Sequence, residues 1–128
     1  QEDQSSVLNV TLLHHHQHYQ MSALALGEHC LWVNQVDAVP GQKLRIRINA
    51  ADVSLVPEPP VQSSIRNILK ATVLDLSEFN GRVDVKLSVG QHIVWARITP
   101  WARDDLNIAA GQTLFAQIKS VSMSREAW

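Results

Sequence analysis

Val83-Asp84-Val85-Lys86-Leu87-Ser88-Val89 puts an apolar side chain at every second position. Period two marks a strand with one buried face, because successive Cβ atoms point to opposite sides of a sheet. Leu44-Arg45-Ile46-Arg47-Ile48 has the same pattern. Further strands are expected over Val7 to Leu13, Met21 to Leu26, His29 to Val33, Asn67 to Leu76, His92 to Ile98 and Thr113 to Met123. Asn80-Gly81 lies between two such runs, and this dipeptide suits the positive φ angles of a two-residue hairpin turn. Gly27, Gly41, Gly90 and Gly111 mark further turns. Many short strands with regular punctuation point to an all-β chain, built as a small barrel or sandwich.

The chain also repeats itself in order. Val7-Leu8-Asn9-Val10-Thr11-Leu12-Leu13 matches Ile68-Leu69-Lys70-Ala71-Thr72-Val73-Leu74, and Gly27-Glu28-His29-Cys30-Leu31-Trp32 matches Gly90-Gln91-His92-Ile93-Val94-Trp95. Gly41-Gln42-Lys43-Leu44 then matches Gly111-Gln112-Thr113-Leu114, and Ile48-Asn49-Ala50 matches Ile118-Lys119-Ser120. Two copies of a strand-rich unit follow, residues 1–60 and 61–128. The join, Pro57-Glu58-Pro59-Pro60-Val61-Gln62-Ser63-Ser64, is too proline-rich for a central strand and reads as a stiff extended connector. A unit of roughly 60 residues buries too little surface for a robust core, so the copies are expected to pack together. Trp32 and Trp95 occupy equivalent places and are expected in that core. The second copy inserts Pro100-Trp101-Ala102-Arg103-Asp104-Asp105-Leu106, a candidate helical turn capping a barrel.

Composition narrows the function. The 128 residues are 45% hydrophobic and 18% charged, which supports a packed core and excludes wholesale disorder. Eleven Lys and Arg against 12 Asp and Glu give a net charge of -1, without the basic excess of a generic nucleic-acid binder. The single cysteine, Cys30, excludes an intrachain disulfide and gives no sign of an oxidising compartment. No apolar run approaches the ~18 residues of a membrane span. No signal-peptide pattern opens the chain, and its start at Gln1 without a methionine reads as a fragment of something longer.

Three clusters could carry chemistry. Ser63-Ser64-Ile65-Arg66-Asn67 offers hydroxyls, a guanidinium, an amide and backbone N–H groups, chiefly donors of the kind an oxyanion requires. Exposed Ser and Arg are also ordinary surface residues. Lys119-Ser120 gains weight from the repeat, where Asn49-Ala50 replaces it. Ser5-Ser6 likewise replaces Arg66-Asn67. Both cationic positions are thus present in one copy and missing in the other, as a site confined to one repeat would require. His14-His15-His16-Gln17-His18 offers metal-ligand types, but on a strand only His14, His16 and His18 could share a side, and a solvated turn is the plainer reading. His29 and Cys30 are too sparse for a zinc site. No catalytic pattern is present: neither Gly-x-x-x-x-Gly-Lys-Ser/Thr nor Gly-x-Ser-x-Gly occurs. Asp104-Asp105 beside Arg103 reads as a helix-end charge cluster.

These residues carry a resemblance. Ser64-Ile65-Arg66-Asn67-Ile68-Leu69, Ile93-Val94-Trp95-Ala96-Arg97-Ile98-Thr99-Pro100-Trp101-Ala102-Arg103-Asp104 and Ala116-Gln117-Ile118-Lys119-Ser120-Val121-Ser122 look like the C-terminal regulatory region of the ATP-binding subunits of bacterial molybdate ABC importers. The second half also resembles the small molybdate-binding mop domains, of the TOBE type. The resemblance implies two tandem oligonucleotide/oligosaccharide-binding-like (OB-like) β-barrel units with short helical turns. It implies that Ser64, Arg66, Asn67, Lys119 and Ser120 contact molybdate or tungstate, with Thr99 contributed by a partner chain. Homodimerisation through these units is implied, as are the ATPase domains and membrane permease of a longer protein as partners. The placement implied is cytoplasmic, peripheral on the inner face of the bacterial inner membrane. ATP would concern only the nucleotide-binding domain outside this chain, and no catalytic residue is expected here. Two other roles compete: a purely structural dimerisation domain, and an OB-type nucleic-acid module. The second is disfavoured by 5% aromatic content and the charge balance.

Overall fold

The run Val83–Val89 forms strand β7 (Arg82–Val89), with residues alternately half-buried and buried along its whole length. The computed structural model describes residues 4–124, so the outermost residues of the two expected units, 1–3 and 125–128, lie outside the described residues. The other strands are β1 (Ser5–His16), β2 (Met21–Leu26), β3 (His29–Asn34), β4 (Lys43–Asn49), β5 (Val53–Val56), β6 (Asn67–Phe79), β8 (His92–Ile98), β9 (Thr113–Ile118) and β10 (Ser122–Met123). Helix α1 spans Pro100–Asp105, and a 3-10 turn spans Ala50–Asp52. The all-β class with short helical turns is the one found, as two curled five-stranded sheets.

The sheets run in the orders β10-β4-β1-β2-β3 and β5-β9-β6-β7-β8, with every pairing antiparallel. Each half of the sequence supplies four strands to its own sheet and the fifth to the other: β5 pairs with β9, and β10 pairs with β4. One strand expected over Thr113 to Met123 is therefore two. After Ile118 the chain leaves the ladder and crosses between the sheets, and the Lys119 N–H donates to the Asp52 carbonyl at 2.8 Å. The inward faces of both sheets merge into one apolar core, running from Leu8, Val10 and Leu12 to Leu114, Ala116 and Ile118.

Trp32 and Trp95 are not in that core. Leu31 and Val33 face inward on β3, and Val94 and Ala96 do so on β8, so period two turns both indoles outward and leaves them half-buried.

The repeated Gly-Gln turns have the same function in both halves. β1 bulges between Leu12 and His14, and β6 bulges at the equivalent place, between Val73 and Asp75. A bulge leaves backbone groups without ladder partners. In the first half the Gly41 N–H donates to the Leu12 carbonyl (2.8 Å), and the Leu12 N–H donates to the Gln42 carbonyl (2.9 Å). In the second, Gly111 N–H to Val73 O (2.7 Å) and Val73 N–H to Gln112 O (2.8 Å) do the same. The glutamine side chains accept from the Val39 N–H (3.1 Å) and the Ala109 N–H (3.0 Å), closing each turn. Both glycines need positive φ, +89° and +90°. Since nothing crowds a Cβ at Gly111, Gly111→Ala should cost stability through backbone strain alone. The expected loss is about 1–3 kcal/mol, read by urea unfolding. An unchanged midpoint would mean the turn tolerates another conformation.

Candidate anion-binding site

The cleft lies where β6 begins and where the chain leaves β9. Ser63 and Arg66 shape its first wall: the Ser63 Oγ accepts from the Ile65 N–H (3.0 Å), and the Arg66 guanidinium donates back to the Ser63 carbonyl. The second wall is Lys119-Ser120-Val121, anchored through the Lys119 N–H on Asp52. Ser64, Arg66, Asn67, Lys119 and Ser120 line one hollow of about 300 Å³. Strands β2 and β3 close its far side with Met21, Trp32 and Asn34. No carboxylate lines it. Ser64, Arg66, Lys119 and Ser120 are exposed, so the donors stand ready at an open mouth and are not sealed in the core.

Asn67 differs from the others. It is buried, and its carboxamide forms a two-bond clamp onto the backbone of β3. The Trp32 N–H donates to Asn67 Oδ1 (2.7 Å), and Asn67 Nδ2 donates to the Trp32 carbonyl (2.8 Å). The side chain thus stands in for a neighbouring strand and joins the sheets at the floor of the cleft. One Nδ2 hydrogen remains for a ligand. Ser6, the repeat equivalent of Asn67, is buried with an Oγ that has no partner among the described residues. Its shorter side chain leaves the corresponding junction in the other half unclamped.

Thr99 is not among the residues lining this cleft. It caps α1, its Oγ1 accepting from the Ala102 N–H at 3.0 Å. The histidines are drawn to other partners. His14 and His16 stand edge-on to Trp32, with ring centroids at 5.6 and 6.1 Å, and His18 stands edge-on to Tyr19 at 4.7 Å. His15 points to the opposite side, where Nε2 donates to the Ala38 carbonyl (2.9 Å) and Nδ1 meets the Ser22 Oγ (2.8 Å). Among the described residues no group of three or more His, Cys, Asp or Glu is placed to hold a metal ion. Trp32 reaches the cleft through the clamp of β3 on Asn67, and Met21 through its pairing with Asn34 of β3, neither of which leaves a mark in the sequence.

Residues 63–124 match the TOBE domain family. Over 125 residues, 98% of its length, the chain is 57% identical to the molybdenum import ATP-binding protein ModC of Photorhabdus laumondii. It is 55% identical over 125 residues to that of Yersinia pestis and 58% identical over 123 residues to that of Escherichia coli. The chain spans 35% of the length of these relatives. A crystal structure of the cytoplasmic molybdate-binding protein ModG, with molybdate bound, shares the fold. Its TM-score is 0.81 over 92% of this chain and 95% of that one, at 19% identity.

The clamp yields a direct test. Asn67→Ser installs the first-half residue and leaves the Trp32 backbone groups unmatched. Stability should fall by about 1–3 kcal/mol in chemical unfolding. A variant as stable as the parent would show that water satisfies Trp32 equally well.

Proposed function

We propose that this chain, whose residues 63–124 belong to the TOBE domain family, is the molybdate- or tungstate-binding regulatory domain of a molybdate importer's ATP-binding subunit. The observation that carries the reading is the convergence of Arg66 and Lys119, distant in sequence, on one carboxylate-free cleft with Ser64 and Ser120.

A tetrahedral oxyanion carrying two negative charges needs donors and positive charge to offset the loss of its water shell. Arg66 and Lys119 supply the charge, Ser64 and Ser120 the hydroxyls, and the spare Asn67 N–H one further donor. Sulfate has the same charge and shape with shorter bonds, so size alone separates the two. The cleft is open to solvent in a single copy, where water competes for every donor. A second copy of the chain closes it in this reading and brings the Thr99 hydroxyl. That hydroxyl accepts from Ala102 within its own chain and keeps its hydrogen to donate.

The longer protein would lie at the cytoplasmic face of the inner membrane, with ATPase domains and a permease as partners. Ligand on the regulatory domains then feeds back on uptake, provided the anion binds one arrangement of the ATPase subunits more tightly than another.

Calorimetric titration with molybdate, tungstate and sulfate tests the reading. Molybdate or tungstate should bind far better than sulfate. Arg66→Ala and Lys119→Ala should each weaken binding by about 2–5 kcal/mol. No heat with any of the three anions, or full affinity in both variants, would sink the assignment.

A further inference from the structure

Beside the anion cleft lies a second hollow of about 530 Å³, lined by His16, Tyr19, Met21, Trp32 and Arg66. Met21, Trp32 and Arg66 line both cavities, so the two are neighbours that share a wall. The second is aromatic in character. His16 packs against Tyr19 (5.0 Å between ring centroids) and against Trp32, and a methionine and a guanidinium complete the lining. Aromatic edges, a thioether and a cation above a ring are the groups that favour an aromatic guest.

The same molecule carries an aromatic group with no seat. Trp101 is 82% exposed on α1, and so does not fill its own chain's hollow. It is held rigidly. Thr99 caps the helix, and Arg103 ties it to the β6–β7 hairpin through Glu78 at 2.6 Å. The paired carboxylates Glu78 and then Asp104 also raise the Arg103 pKa. A rigid indole enters a pocket without the ordering cost of a mobile one.

We propose that Trp101 of one copy of this chain inserts into the His16–Tyr19–Met21–Trp32–Arg66 hollow of a second copy, each copy giving one indole and receiving one. The proposal rests on the preceding reading, in which the partner's Thr99 reaches the anion. Trp101 lies two residues beyond Thr99, hence within about 7 Å of backbone reach. The aromatic hollow shares Met21, Trp32 and Arg66 with the anion cleft, so it is the neighbouring surface that such a residue would meet. Charge agrees as well: α1 carries Asp104 and Asp105 against the single cation Arg103, whereas Arg66 and Lys119 front the cleft. A reciprocal exchange closes as a two-fold dimer and leaves no unsatisfied copy of the contact. The anion and the indole then share Arg66, which couples ligand binding to dimer contact.

The test uses the 128-residue chain. Sedimentation equilibrium with and without molybdate should show that Trp101→Ala raises the dimer dissociation constant at least ~30-fold, with Trp101→Phe intermediate. Below the dimer dissociation constant, where only monomer is present, the urea unfolding midpoint should be unchanged, since the side chain is solvent-exposed in one copy. Trp101→Cys combined with Tyr19→Cys, in a Cys30→Ser background, should give a covalent dimer on mild oxidation, and neither change alone should. A wild type that stays monomeric, an unaltered dimer constant in Trp101→Ala, or no covalent dimer overturns the proposal and leaves the hollow to the remainder of a longer protein. Anion titration separates the two readings. Cross-linking without anion binding sinks the functional assignment alone, and anion binding without cross-linking sinks the indole contact alone.

Discussion

Neither sheet is complete without a strand from the other half of the sequence. β5 leaves the first half to pair with β9, and β10 leaves the second to pair with β4. The two crossings touch where the Lys119 N–H meets the Asp52 carbonyl. Separating the halves would open the free edge of both sheets and expose the core they share, so the tandem units stand or fall together. The crossing also creates the site. A residue within a ladder has its backbone paired and its side chain aimed squarely in or out. Lys119 and Ser120 escape both constraints because the chain must leave β9 there to reach β4. In the proposed reading, function sits where the chain leaves β9 and cannot continue as regular ladder.

The two junctions of the repeat differ in the groups they present. The backbone devices are retained in both halves: the bulge after Leu12 and after Val73, and the Gly-Gln turn that satisfies each. The differences gather at the junction between the sheets. Where one half has Ser5, Ser6, Asn49 and Ala50, the other has Arg66, Asn67, Lys119 and Ser120. Ser5 accepts from Arg47 at 2.9 Å and Ser6 is left unmatched, whereas Asn67 bridges both polar groups of Trp32. The clamp holds one wall of the cleft at fixed distance from the other, and size discrimination between anions requires such rigidity. In the proposed reading Asn67 is therefore as much a spacer as a donor.

Much of this was legible in sequence, for physical reasons. Strict alternation set the phase of β4 and β7, and glycines at positive φ set the turns. Repeat alignment linked Arg66 and Lys119 as a pair before any coordinate placed them on one cleft. Other features were hidden. Val53-Ser54-Leu55-Val56 is too short and too apolar to declare itself a strand, and its partner β9 lies far along the chain. Leu31-Trp32-Val33 and Ile93-Val94-Trp95-Ala96 are unbroken apolar runs. They carry no phase, so equivalence told that the two indoles share a place without telling which side of the sheet it is on. The His14–His18 run advertised metal chemistry through residue type, and its side chains instead pack on Trp32 and Tyr19 or pin the Ala38 segment.

An open cleft with two exposed cations is a weak trap by itself. In water a charge pair at contact distance gains about 1 kcal/mol, and salt reduces it further. Tight retention of a dianion requires that water be displaced from around Arg66 and Lys119, both exposed here, and in the proposed reading a second copy displaces it. The covering wall of the proposed dimer would bring donors without carboxylates at the anion and apolar surface beside it, since the adjoining hollow is aromatic. The segment Thr99-Pro100-Trp101 has that composition: a hydroxyl with a free hydrogen, a ring that fixes the backbone, and an indole. Its acidic residues come later, Asp104 paired with Arg103 at 2.9 Å and Asp105 beside it. Dehydration of the anion and burial of the indole would thus be one event, and the strength of each would depend on the other.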